Sequence, residues 1–309
     1  MKKAQFNWIF ILIAGFIILA LFVAFIVDYR NLSFRKMNTQ LAVEVDSQLD
    51  LLSIEKLSAK INPTGMDQFK TEFFCNYFSI NGGDQIYIRD KIIFSPSSIE
   101  TSELLLWVDE FYFPYKVADL IYISSPNIKY YLYPKEKVEE FLEYLPKKFN
   151  SNNQLFNIEA IDYISEEKIK QDISRERLKE IKFVLFENTK IPRFNIKTKI
   201  LNVNLIDGIE KGKIGSSYFI KKQLLLGAIF SDNYNCFLDK ITNKVSLLNQ
   251  VYKEKATKLH IKNNNPECNY QTITSYLKKS VDLEELYDNQ ERIFQKNKEF
   301  FMKGCSDVF

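Results

Sequence analysis

Serines stand three residues ahead of a lysine at Ser33 and Lys36, Ser53 and Lys56, and Ser165 and Lys168, among others. At that spacing an amine can take the hydroxyl proton and turn the serine into a nucleophile for acyl transfer. Ser231-Asp232-Asn233 matches the tripeptide that accompanies such pairs, but no Lys-Thr-Gly or Lys-Ser-Gly follows it. Ser231-Asp232-Asn233 therefore reads as a turn after a strand. Gly212-Lys213-Ile214-Gly215-Ser216-Ser217 has the residue types of a phosphate loop in the wrong order, since its lysine precedes the second glycine. No Gly-x-Gly-x-x-Gly follows a strand, so a dinucleotide site is unsupported. His260, the single histidine, falls at a polar helix end, where it is expected as a solvated C-terminal residue.

Acid chemistry is no better addressed. Asp109 and Glu110 are adjacent on an expected strand, so their carboxylates point to opposite faces and cannot share a site. Glu166, Glu167, Asp172 and Glu180 read as the solvated face of a helix. No catalytic residue, metal ligand set or cofactor site is expected. The aromatic group Trp107, Phe111, Tyr112, Phe113 and Tyr115 can be read as a ligand-stacking face, but strands recruit aromatics for packing and the core is the simpler reading.

Cys75, Cys236, Cys268 and Cys305 carry the remaining chemistry. None forms a CxxC pair, and one histidine cannot complete a usual zinc site. Four dispersed cysteines suit two disulfides in an oxidising compartment; four buried thiols are the alternative.

The element that must position all of this is Trp8–Val27, WIFILIAGFIILALFVAFIV, an uncharged apolar run. Twenty such residues make a helix of about 30 Å, enough to cross a hydrocarbon core. The run is longer than the apolar region of a cleaved secretory signal, and its end offers no small-x-small site. The lipid bilayer is thus the expected partner. Lys2, Lys3 and the amino terminus on one side nearly balance Arg30, Arg35 and Lys36 against Asp28 on the other. The cysteines favour a cytoplasmic N-terminus and an extracytoplasmic body.

The residues before the run, Lys3-Ala4-Gln5, resemble an archaeal class III, prepilin-type signal. The resemblance covers about the first 25 residues. It implies cleavage between Ala4 and Gln5, with the helix retained on the mature chain. The sequence departs from the pattern at Ile9, where many pilins carry a glutamate used in subunit assembly. In overall order the chain resembles archaeal single-span envelope proteins with prepilin-like N-termini.

Met37, Leu41, Val45, Leu49 and Leu52 then draw one apolar stripe, which predicts an amphipathic stem that stops before Asn62-Pro63. Such a stem lifts a domain off the bilayer or pairs with a second copy or an envelope partner. Strands are expected at 85–94, 104–113, 118–123, 128–133, 158–163, 181–186, 199–206, 213–220 and 223–230. Helices are expected after Pro134 and from an N-cap at Ser165 to about Glu180.

The C-terminal part reads as an αα-hairpin. Its geometry predicts Cys236–Cys305, leaving Cys75–Cys268 by elimination. The expected fold is α/β or α+β: an anchor (1–27), a stem (28–62), a mixed sheet domain with covering helices (63–235) and the helical hairpin (236–309). Forty-two basic against 39 acidic residues give a net charge of +3 and no basic field for nucleic acid.

A membrane-anchored extracytoplasmic protein of structural or binding type, such as a pilin-like surface-assembly component, is the expected function. A membrane-tethered hydrolase and a cytoplasm-facing ligand sensor are the alternatives.

Overall fold

A computed structural model describes residues 2–55, 58–62, 68–88, 90–147, 155–262, 265, 267–278 and 283–309. It is a mixed α/β protein with several sheets and one long apolar N-terminal helix. That helix, α1 (Lys2–Glu55), has 54 residues and therefore runs about 80 Å. Its two halves differ. Between Phe10 and Val27 every described large apolar side chain is at least half exposed. From Leu41 onward the predicted stripe, Leu41, Val45, Leu49 and Leu52, is buried together with Ala42.

Met37 begins the stripe but is 42% exposed, so the seat on the body starts one turn later than its periodicity suggests. The helix also ends before the expected proline. Ser58–Ile61 is already a strand, β1, because its residues pair with the long strand β7 (Leu104–Tyr112). Pro63 lies outside the described residues.

Two antiparallel-rich sheets receive the stem. One has the order β4-β3-β2-β6, from β2 (Phe69–Phe73), β3 (Tyr77–Ile80), β4 (Ile86–Tyr87) and β6 (Ser98–Thr101). The other is β1-β7-β8-β5, with β5 (Ile92–Phe94) and β8 (Lys116–Ser124). The single strand expected over 85–94 is thus two strands in different sheets.

Polar contacts fix the seat. Asn38, itself buried, accepts from Asn81 Nδ2 at 3.2 Å, and Thr39 Oγ1 donates to Asp84 at 2.7 Å. Lys91 Nζ bridges Asp46 and Asp50 at 2.5 and 3.0 Å. A Cβ on Gly83 would come within 2.9 Å of Asn38 Cβ, so the turn can approach α1 only without a side chain there. We expect Leu49→Ala, at a fully buried seat position, to cost about 2–5 kcal/mol. Leu51→Ala, on the exposed side of the same turn, should stay within about 0.5 kcal/mol. Urea midpoints of the two variants check this.

The third sheet is parallel, in the order β10-β9-β11-β12: β9 (Ile128–Tyr133), β10 (Ile158–Ala160), β11 (Glu180–Leu185) and β12 (Lys197–Asn202). Helix α2 (Glu139–Tyr144) connects β9 to β10, and α3 (Glu166–Glu176) connects β10 to β11. Ser165 caps α3 as expected, its side chain accepting from Lys168 N. Arg177, in the left-handed region at φ 53°, ends the helix before the expected Glu180.

After Val203 the chain leaves this sheet for a meander of β13 (Asn204–Asp207), β14 (Lys211–Ile214) and β15 (Ser217–Ile220). The expected strand 223–230 is instead helix α4 (Lys221–Phe230). Seven consecutive buried residues, Leu224–Phe230, have no amphipathic period, so a covered helix and a covered strand look alike in sequence.

The C-terminal part is three passes, not a hairpin. Helix α5 (Tyr234–Lys262) runs out, and the chain doubles back through the short α6 (Gln271–Thr274) until the Lys278 carbonyl meets Asn249 Nδ2 at 3.0 Å. Helix α7 (Leu283–Met302) starts beside β14, where Lys211 pairs with Glu284 and Asp288, and runs outward again. Cys305 consequently meets Cys268, and Cys236 meets Cys75; the Cα separations are 5.8 and 6.1 Å. Both expected pairings are therefore corrected, while all four cysteines are in disulfides.

Candidate functional site

The bare half of α1 is the largest exposed feature. Its composition leaves nothing for water to bond from Trp8 to Val27 beyond the Trp8 indole, and its most apolar 18 residues are uncovered by the body. Lys3, Ala4 and Gln5 lie on its first turn; their side chains are outside the described residues.

Among the described residues of the body, three clusters of chemistry-bearing side chains stand out. The first surrounds Asp109, on β7. Tyr144 of α2 donates to its carboxylate, Gln223 of α4 adds a second bond, and the Lys222 amine lies 4.8 Å from the Tyr144 ring centroid. Trp107 closes the cluster, 5.1 Å from Tyr122 and 5.3 Å from Tyr144 between ring centroids. Burial pushes the Asp109 carboxyl above its ordinary range, against the two hydrogen bonds and the charge of Lys222. Lys221, at the elbow between β15 and α4, holds φ 64° and donates to the Tyr112 carbonyl at 2.7 Å. Glu110, as expected, faces away from Asp109 and binds Tyr112 and Lys116.

The second place is the α3 face of the parallel sheet. Lys129, on β9, is buried and reaches Asp172, Glu176 and Glu159 at 2.9, 3.0 and 3.0 Å. Burial opposes the ammonium, but these hydrogen bonds outweigh it and hold Lys129 above the usual lysine value. Asp172 also accepts from Tyr131 at 2.9 Å; its donors overcome burial and lower its pKa. Asp172 is thus no solvated residue, contrary to the sequence reading.

The third lies on the opposite face of the sheet. Asp232, in the link from α4 to α5, accepts at one oxygen from Ser97 N and Ser97 Oγ, both at 2.9 Å, and from Lys199 at 2.5 Å. Lys199 also binds Glu180 at 2.7 Å; Glu180 is buried on β11 and off the expected helix face. Lys182, paired in register with Lys199, has among the described residues only the other Asp232 oxygen, at 3.9 Å. Burial drives its pKa down to about 8.

The sequence motifs do not join these clusters as nucleophiles. Ser33 and Lys36 are exposed on α1. Ser53 Oγ donates to the Asp50 carbonyl, and Lys56 is outside the described residues. The Lys168 amine binds Glu159, away from Ser165. Ser231-Asp232-Asn233 is a turn, though it follows a helix, with Asn233 N donating to Ser231 Oγ at 3.0 Å. Gly212–Ser217 is the β14–β15 hairpin, with no helix behind it to receive phosphate. Of the aromatic set, Phe111, Phe113 and Tyr115 are core, as the simpler reading held.

Lys129 and Lys182 were missed, yet each left a signal. Ile128-Lys129-Tyr130-Tyr131-Leu132-Tyr133 and Ile181-Lys182-Phe183-Val184-Leu185-Phe186 each place one lysine second in an otherwise apolar run. A strand covered on both faces must bury that amine, and a buried amine needs partners or a lowered pKa.

Among the described residues no group of three or more His, Cys, Asp or Glu is arranged to hold a metal ion. No protein-family model, curated protein or solved structure matches this chain.

Proposed function

We propose that the protein is a single-span membrane protein with a disulfide-tied body outside the cytoplasm, acting as a structural or binding component of a surface assembly. The observation that carries this reading is the division of α1. One continuous helix is packed into the body from Leu41 to Leu52 and is bare and apolar from Phe10 to Val27. A body seated on the rigid second half of its own anchor transmits position and force to the membrane, as a pilin-like plan requires. The residues Lys3-Ala4-Gln5 support the same reading, and the disulfides support an oxidising compartment.

Two measurements test it. The full chain should remain in the membrane pellet at alkaline pH and move to the supernatant when residues 1–27 are deleted. Thiols should label on intact cells only after an impermeant reductant is added. A full-length chain that dissolves without detergent, or labelling only after lysis, would overturn the proposal. The mass of the mature N-terminus tests processing separately: a chain cut after Ala4 supports pilin-type handling, and an uncut one removes it.

A membrane-tethered hydrolase is the second reading. It is favoured by Asp109, a carboxyl that burial holds above its ordinary range where it accepts from Tyr144. An ester or glycoside turnover lost in Asp109→Asn, with unchanged melting, would establish it.

A further inference from the structure

The parallel sheet changes direction of growth at β9: β10 is added on one side of it, β11 and β12 on the other. In open sheets of this kind ligands bind beyond the carboxyl ends of the strands; the reversal itself falls between β9 and β11, and the cleft lies one position over, between β11 and β12. Here the carboxyl ends of β11 and β12 open into a cleft of 390 Å³. The cleft exists because β12 continues past Val203 into the meander. Val203 N still bonds the Leu185 carbonyl at 2.8 Å, but beyond it the two chains part. The β14–β15 hairpin, with Lys213 and Gly215, forms the other wall.

The lining has a definite chemistry. Asn188, Asn202 and Asn204 present exposed amides with no side-chain partner among the described residues. Glu187 is already paired with Lys137 at 2.7 Å, and the Lys213 ammonium sits 4.3 Å over the Tyr218 ring. One cation is too little for a phosphate group, and one engaged carboxylate too little for a metal ion. A primary amide offers a donor and an acceptor in one plane, a match for neighbouring hydroxyls on a ring. The geometry points to a binding site for a neutral saccharide at the carboxyl edge of β11 and β12, read by Asn188, Asn202 and Asn204.

The test uses the full chain in a detergent without a sugar headgroup. Saturation-transfer NMR is run with the methyl glycosides of glucose, galactose, mannose and N-acetylglucosamine, and with inorganic phosphate as a competitor. At least one glycoside should receive saturable transfer, with a Kd on the order of millimolar. The double variant Asn202→Ala/Asn204→Ala should weaken it about tenfold or more, as for loss of a good hydrogen bond to each amide. Both side chains are exposed, so melting should not move; Asn31→Ala, on the bare helix, should leave transfer unchanged. Transfer to none of the four, transfer equal in the double variant, or displacement by phosphate would overturn the assignment. None of these outcomes depends on where the chain is localised.

Discussion

Replacing Cys75 and Cys236 together by alanine should lower the stability of the body by about 5 kcal/mol, and replacing Cys268 and Cys305 by about 4 kcal/mol. These are ceilings from chain entropy. The first bridge closes a sequence separation of 161 residues, the second one of 37, and the entropy removed from the unfolded chain grows with the logarithm of the loop. The two loops do not overlap, so each bridge restrains a part of the chain that the other leaves untouched. Against a stability on the order of 5–15 kcal/mol either loss is large.

The first bridge also joins unlike parts. It ties the β2–β3 turn to the start of α5, where Lys240 Nζ donates to the Cys75 carbonyl at 2.6 Å. The second holds the end of α7 against the turn before α6, beside Tyr270, whose hydroxyl donates to the Ser306 carbonyl at 3.1 Å. Urea unfolding of both double variants, followed by fluorescence in the same detergent, gives the two losses. A loss for Cys268→Ala/Cys305→Ala that exceeds the one for Cys75→Ala/Cys236→Ala would show that local contacts, and not loop length, set the scale.

That pairing was also the least legible part of the chain. The two long helices of the C-terminal region were readable from their own periods: Ile241 and Val245 are buried on α5, and Ile293 and Phe300 on α7. What the period does not carry is the number of passes. The residues between α5 and α7 include α6, four residues long, which is too short to show an apolar stripe yet belongs to a pass of its own, back to Asn249. An omitted pass inverts the direction of α7 and with it every contact of Cys305.

The stem was legible for the opposite reason. Four apolar residues at steps of four, four and three mark a face that must be covered, but not by what: a second copy or an envelope partner was as open as the chain's own body, which is what buries it. Polar partners were opaque throughout. Asp172 and Glu180 carry no mark that separates them from Glu166 and Glu167, which are exposed. Only the fold brings Lys129 and Lys199 to them.

The two buried lysines of the parallel sheet should respond to the same substitution with opposite signs. Lys129→Met leaves Asp172 buried with Tyr131 and Arg175 but without the amine that neutralises it and its neighbours Glu159 and Glu176. Removing one partner from a buried ion pair costs about 3–5 kcal/mol. Lys182→Met keeps the aliphatic stem and removes only an ammonium that burial disfavours. Asp232 retains Lys199 and both Ser97 donors, so nothing is stranded.

The step from the ordinary lysine value of 10.5 down to about 8 sets the ceiling of that gain at about 3 kcal/mol, at 1.36 kcal/mol per pKa unit. The pH dependence separates the two cases further. Between about pH 8 and 10.5 the unfolded chain holds a proton on Lys182 that the folded chain has lost. Stability contributed through Lys182 therefore rises with pH across that window, and Lys182→Met should flatten the rise. Asp172 and Glu176 are depressed in the fold, so their contribution is present above the unfolded carboxyl range and is lost as pH falls through their folded values. Lys129→Met should shift that acid limb toward higher pH. Urea midpoints collected from pH 3 to 10.5 for the three chains read all of this at once. Destabilisation by Lys182→Met of the size seen for Lys129→Met would mean that the 3.9 Å contact with Asp232 is a working ion pair, and that burial of this amine is offset in full.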